Sequence, residues 1–319
     1  LFLALVVFAL GLTVSALVGA NNVAPSLSVL VSTNAIKRRW AYALTSISLL
    51  LGVSLGGLTM AHSVSGVIQG DRTYQDITLA SVLVASLVTF SLLNRRGIPS
   101  SLSQMIYPSL AVLAFTERRE ISVDFKVLAL TALSWLIAPL SSMALSLSLY
   151  LILSKVMRPR TELSKVLAIY KYLILISSLF VTFVTGANAI GLVASAGSQE
   201  LPLPSTLLIY ALASVVGLYS SSKRAVAVVG FRITKMGYIA GSSAMIGSSI
   251  VNELFTLFGI PISVTQSLLG GIIGLSFRSM TSDVNRQVRQ VMKGWMTSPV
   301  MAVFISLSVL GLTRSLLGL

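Results

Sequence analysis

The chain has 319 residues, 55% of them hydrophobic and only 10% charged, with no cysteine and one histidine. Soluble domains carry roughly 25% charged residues, and the mean hydropathy of +0.91 points the same way, to a membrane protein. Without cysteine there is no disulfide, iron–sulfur or thiol chemistry, and His62 alone cannot build a His-ligated metal site.

Residues 1–36, 41–61, 77–94, 127–154, 203–222 and 295–313 contain no Asp, Glu, Lys or Arg. Several reach the ~20 residues a helix needs to cross ~30 Å of hydrocarbon. In lipid every backbone polar group must be satisfied within the protein, so such runs are helices. Leu1 is not an initiating residue, so some chain is expected ahead of it. Residues 1–18 lack the charged start of a signal peptide and run straight into a Gly-Asn motif, so they read as a membrane helix.

In chain order the spacing predicts about ten crossings. They are 1–36 (broken near 19–25), 41–61, 77–94, 98–116, 127–154, 166–199 (broken near 186–191), 203–222, 236–257, 260–278 and 295–313. The loops at 37–39, 95–96, 155–171, 223–235 and 278–293 then fall on one side with 18 of the 23 Lys and Arg. The positive-inside rule makes that side cytoplasmic and puts both termini outside. This partition accounts for the net charge of +14, so no nucleic-acid partner is expected.

The chain also repeats itself. Gly19-Ala20-Asn21-Asn22-Val23 recurs as Gly186-Ala187-Asn188-Ala189-Ile190. Gly97-Ile98-Pro99 through Gln104 recurs as Gly259-Ile260-Pro261 through Gln266, and Trp135 with Pro139 recurs as Trp295 with Pro299. The offsets are 186 − 19 = 167, 259 − 97 = 162 and 295 − 135 = 160, in register and nearly constant. The halves are 1–154 and 166–319, joined by a basic linker at 155–165. Five crossings per half invert the second copy, the plan of secondary transporters whose site lies near the midplane between repeats. No Gly-Lys-Ser/Thr phosphate loop is present, which excludes ATP-driven transport by this chain alone.

The repeated motifs gather polar and helix-breaking residues inside apolar runs. A helix starting after each Gly-Ile-Pro would aim free N–H groups and the positive end of its dipole into the interior. Two such ends, lined by Ser100, Ser101, Ser103, Gln104, Ser263, Thr265 and Gln266, make a neutral, donor-rich anion site. Asn21, Asn22 and Asn188 interrupt their helices similarly; their amides suit an oxyanion, and their oxygens with unwound carbonyls suit sodium, at Asn21 and Asn188 above all. Glu253, beside Asn252 and six residues before Gly259, is the one candidate intramembrane acid. It reads either as a coupling carboxylate or as a residue at the outer interface. His62 reads as interfacial, and Trp40, Trp135 and Trp295 as belt or packing aromatics.

At these motifs the chain resembles the inorganic phosphate permeases, sodium- or proton-coupled phosphate transporters with a GANDVAN-type motif in each half. That family also carries a later G-L-P-V-S-T-T-H-type motif in each half, and a Trp followed by Thr and Pro near the end. The matching stretches are Gly19–Pro25, Gly186–Leu192, Gly97–Gln104, Gly259–Gln266 and Trp295-Met296-Thr297-Ser298-Pro299. Where the family has Asp this chain has Asn22 and Ala189, and where it has the final His this chain has Gln104 and Gln266.

The resemblance implies cation-coupled phosphate transport, with sodium or a proton as coupling ion and no other cofactor. The family has sulfate-carrying branches that lack the Asp, and a donor-only site suits sulfate, so a sulfate permease is the alternative. An uncoupled channel or exchanger is the alternative of another class. A membrane enzyme on lipid substrates would want clustered acids, His or Lys that are lacking. The implied partners are the anion and the lipid bilayer; the oligomeric state stays open, a homo-oligomer included.

Overall fold

The computed structural model describes residues 2–65, 67–95, 100–118, 120–157, 163–197, 201–220, 237–276 and 282–318. Gly97–Pro99 of the first Gly-Ile-Pro motif and residues 158–162 of the linker lie outside the described residues. The helices are α1 (Phe2–Val18), α2 (Ala24–Ser32), α3 (Arg38–Gly52), α4 (Leu58–Ser65), α5 (Arg72–Arg95), α6 (Leu102–Thr116) and α7 (Phe125–Val156). The second half gives α8 (Leu163–Thr185), α9 (Gly191–Gly197), α10 (Leu203–Ser220), α11 (Tyr238–Leu257), α12 (Val264–Ser276) and α13 (Ser282–Leu317). A short antiparallel pair, β1 (Ile68–Gly70) with β2 (Ile121–Val123), joins two loops on one face of the bundle.

A helix lies in every expected crossing. Seven helical stretches among the described residues are long and apolar enough to span a bilayer unaided. α6 has 15 residues and α12 has 13, about 22 and 20 Å at 1.5 Å per residue, short of the hydrocarbon thickness. Non-helical backbone at 260–263 leads into α12. It begins where α11 ends in a Schellman turn: Ile260 N–H donates to the Phe255 carbonyl at 2.9 Å and Gly259 N–H to that of Thr256 at 2.9 Å. Gly259 has φ +65°, the left-handed conformation this turn needs.

The Gly-Asn motifs correct one expectation. They do not unwind: Gly19–Val23 and Gly186–Ile190 are π-helical turns inside otherwise continuous helices, and Val53–Gly57 between α3 and α4 is a third. The glycines serve close packing. A methyl on Gly19 would fall on the carbonyl of Ser214, and one on Gly186 on that of Leu49. The second and third π-turns lie against each other, where a methyl on Gly56 would meet Ala187 Cβ. One extra residue per turn shifts the hydrogen-bond ladder without breaking the helix.

The packing exchanges helices between halves. α5 and α6 pack on each other and on α13, while α11 and α12 pack on each other and on α7. α7 hardly touches α6, nor α13 α12. The buried stripe of α7 is Ser134, Ala138, Ser142 and Ser146; that of α13 is Gly294, Ser298, Ala302 and Ser306. The two stripes coincide position by position, since 294 − 134 = 160, the offset of the tryptophans. Small side chains let such helices approach closely, and Gly270 of α12 abuts the Pro139 carbonyl of α7. Leu133, Leu136, Leu140 and Leu147 project from the opposite side of α7, a face suited to lipid.

Candidate anion site at the meeting of the two repeats

α6 starts at Leu102 because Ser101 is extended, with φ −114° and ψ 127°. The Ser101 side chain does not cap the helix; its Oγ lies 3.1 Å from that of Ser103. In α12 the twin hydroxyls of Ser263 and Thr265 lie 3.3 Å apart, the same pair displaced by 162. Here Ser263 Oγ does cap the helix, accepting from Gln266 N–H at 3.3 Å.

The two motifs meet across the halves. Ser103 Oγ donates to the Ile262 carbonyl at 3.1 Å. Ser134 Oγ of α7 is 3.0 Å from the Pro261 carbonyl, sharing its proton with the Thr131 carbonyl at 2.7 Å. The N-terminal end of α6 thus lies against the non-helical segment entering α12. Ser100, Ser101, Ser103, Gln104, Ser263 and Gln266 are buried, and Thr265 is half-buried. Gln104 Oε1 and Gln266 Oε1, another twin pair, are both buried without a hydrogen-bond partner among the described residues.

The asparagines occupy the flanks. Asn188 Nδ2 donates to Thr256 Oγ1 at 3.1 Å, which joins the π-turn at Gly186–Ile190 to α11 three residues before Gly259. Asn21 and Asn22 are half-buried, and Asn21 Nδ2 has no partner. No described hydrogen bond ties them to the serine cluster. One turn earlier, Leu17 packs on the Phe90–Met105–Ala302 cluster, which includes the first turn of α6.

No Asp, Glu, Lys or Arg is among these residues. Hydroxyls, amides and the N-terminal ends of α6 and α12 supply only partial positive charge, which suits an oxyanion that must also be released. Sequence reasoning missed Ser134, Thr256 and Asp76. Ser134 was findable because it precedes a repeated Trp; Thr256 carried no signal before the fold placed it beside Asn188. Asp76, at the edge of an uncharged run, is 4% exposed on α5.

Comparison with known proteins decides the family. The family model described as "Phosphate transporter family" matches residues 18–167 and 158–306. The chain belongs to the phosphate transporter family. Membership makes it a multi-pass membrane transporter of inorganic phosphate and not an enzyme.

Among its relatives, a protein of Methanocaldococcus jannaschii assigned by name to the phosphate permeases is 25% identical over 293 residues, 91% of each chain. A protein of Rhizobium meliloti, named a probable low-affinity inorganic phosphate transporter, is 25% identical over 304 residues, 90% of each. A solved structure named "The sodium-dependent phosphate transporter" shares the fold at TM-score 0.84 and 16% identity, over 98% of this chain and 99% of that one.

Proposed function

We propose that the protein moves inorganic phosphate by alternating access, coupled to sodium, with the anion held between the α6 and α12 N-terminal ends. The observation that carries this reading is the contact of the twin motifs, Ser103 of one half on Ile262 of the other. A site built at a repeat boundary changes its exposure when the halves rock against each other. The helix exchange supplies the moving parts, because each short helix travels with the last long helix of the other half. Sodium enters from the name of the structural neighbour and from the need to balance a doubly charged anion in low dielectric. The halves are taken to divide at 155–165, with that linker cytoplasmic and both termini outside.

Sulfate is the second reading, favoured by the absence of a carboxylate from the Ser/Thr/Gln cluster. Hydrogen phosphate carries a proton that an acceptor would recognise, and sulfate carries none. Proteoliposomes given labelled phosphate or sulfate, with sodium or proton gradients, separate the readings. Sodium-driven phosphate uptake that sulfate inhibits weakly is expected, and Asn22→Asp should weaken that inhibition further. Sulfate uptake exceeding phosphate uptake would replace the cargo, and uptake indifferent to either gradient would replace coupling with a channel or exchanger.

A further inference from the structure

Glu253 is half-buried on α11, with its Oε2 turned into the interior. Asn188 is nine residues from the end of α9 at Gly197, about 14 Å along a helix. Thr256 Oγ1 accepts from Asn188 Nδ2 at 3.1 Å and donates to the Asn252 carbonyl at 2.9 Å. Glu253 sits one turn before Thr256 on α11, where the side chain at i+3 leans back over residue i. The Asn188–Thr256 bond draws this turn of α11 against the π-turn at Gly186–Ile190.

On this turn of α11 two buried side-chain oxygens have no hydrogen-bond partner among the described residues. Glu253 Oε2 is buried with no hydrogen-bond partner among the described residues. Asn252 is 1% exposed and its Oδ1 is also unpartnered. Among the described residues Glu253 has no ion pair with a Lys or Arg. A buried carboxylate oxygen in a membrane protein is costly unless a cation or a proton neutralises it. Hard oxygen donors without thiolate or imidazole select an alkali or alkaline-earth ion over a transition metal.

We propose that Glu253, with Asn252 and the Thr256–Asn188 pair, forms the sodium site that couples the protein's transport. This rests on the cation-coupled reading above and locates its charge. The Gly-Asn turns contribute only neutral groups, so the single negative charge of the site comes from α11. The position also explains how cation and anion communicate. α11 runs from Glu253 through the Schellman turn at Gly259 into Pro261 and Ile262, whose carbonyls receive Ser134 and Ser103. Sodium at Glu253 would order the end of α11 and so set the segment against which α6 docks.

The test uses the full chain and two readouts. In detergent, melting temperature is followed as sodium chloride replaces choline chloride without phosphate. Sodium should raise it in wild type and in Glu253→Asp, and leave Glu253→Gln unmoved. In proteoliposomes Glu253→Gln should raise the sodium concentration for half-maximal phosphate uptake at least tenfold, and Asn252→Ala by a smaller factor. Wild-type sodium responses in Glu253→Gln by both readouts would overturn the site. So would loss of proton dependence with sodium dependence intact, which would make the group a proton carrier. Because melting needs no transport, a sodium shift lost in Glu253→Gln alone sustains the site even if phosphate proves not to be the cargo.

Discussion

A single backbone conformation sets the approach of α12 to the anion site. Gly259 is in the left-handed region at φ +65°, and both hydrogen bonds of the Schellman turn depend on that conformation. A β-branched side chain there carries a steric cost of about 1–2 kcal/mol, whereas Asn adopts the conformation more readily. Gly259→Val should therefore lower the melting temperature and abolish phosphate uptake, with Gly259→Asn close to wild type in both. A Val variant with full uptake would show that the 260–263 segment does not depend on this turn. The same reasoning separates the serines. Ser103 donates to the other half, while the hydrogen bond described for Ser101 is with Ser103, so the two hydroxyls that look alike in the motif have different partners.

Each helix in the exchanged bundles is selected for how closely it lets another approach. α12 presents Gly270 to the Pro139 carbonyl and Gly274 to Met143, and α7 answers with Ser134, Ala138, Ser142 and Ser146. A leucine at 270 has no room, and overpacking a tight contact typically costs about 1–3 kcal/mol. Gly311 on α13 has nothing within 4 Å of where its Cβ would stand, and replacing Gly in a helix interior recovers propensity. Gly270→Leu should thus sharply reduce the yield of monodisperse protein in detergent chromatography, while Gly311→Leu leaves it unchanged. Equal yields would mean that α12 is not clamped by α7. The π-turns belong to this scale too. Their glycines looked like breaks because Gly and Asn interrupt an apolar run, but a run cannot reveal that another helix's carbonyl occupies the gap.

At the scale of the whole molecule, contacts group the loops into two faces. β1 pairs with β2, and Arg314 bonds Glu117 at 2.8 Å, which gathers loops 66–71 and 117–124 and the end of α13. Asn34, Ile174 and Tyr238 line one cleft at the opposite end, of about 310 Å³. The first group holds four acids (Asp71, Glu117, Glu120 and Asp124) against three basic residues (Arg118, Arg119 and Arg314), and the second adjoins the basic loops. With the basic face cytoplasmic, a single Cys at position 160 should react with a membrane-impermeant maleimide only after cells are opened. A single Cys at position 318 should react in intact cells. The reverse pattern would invert the protein in its membrane.

The duplication, the all-helical membrane class, the order of the helices and the motif at the start of each short helix were all legible in the residues. They rest on local and periodic constraints: hydrocarbon thickness fixes run length, and a repeat is visible as a repeat wherever it folds. The contact of Ser134 with the Pro261 carbonyl, the bond of Asn188 to Thr256 and the conversion of expected breaks into π-turns were not. Each depends on which helix lies alongside, and in this fold the partner of each short helix comes from the opposite half of the chain, more than a hundred residues away for Ser103 and Ile262. Sequence spacing carries no record of that exchange; only tertiary packing, where small side chains let two particular helices close to contact, decides it.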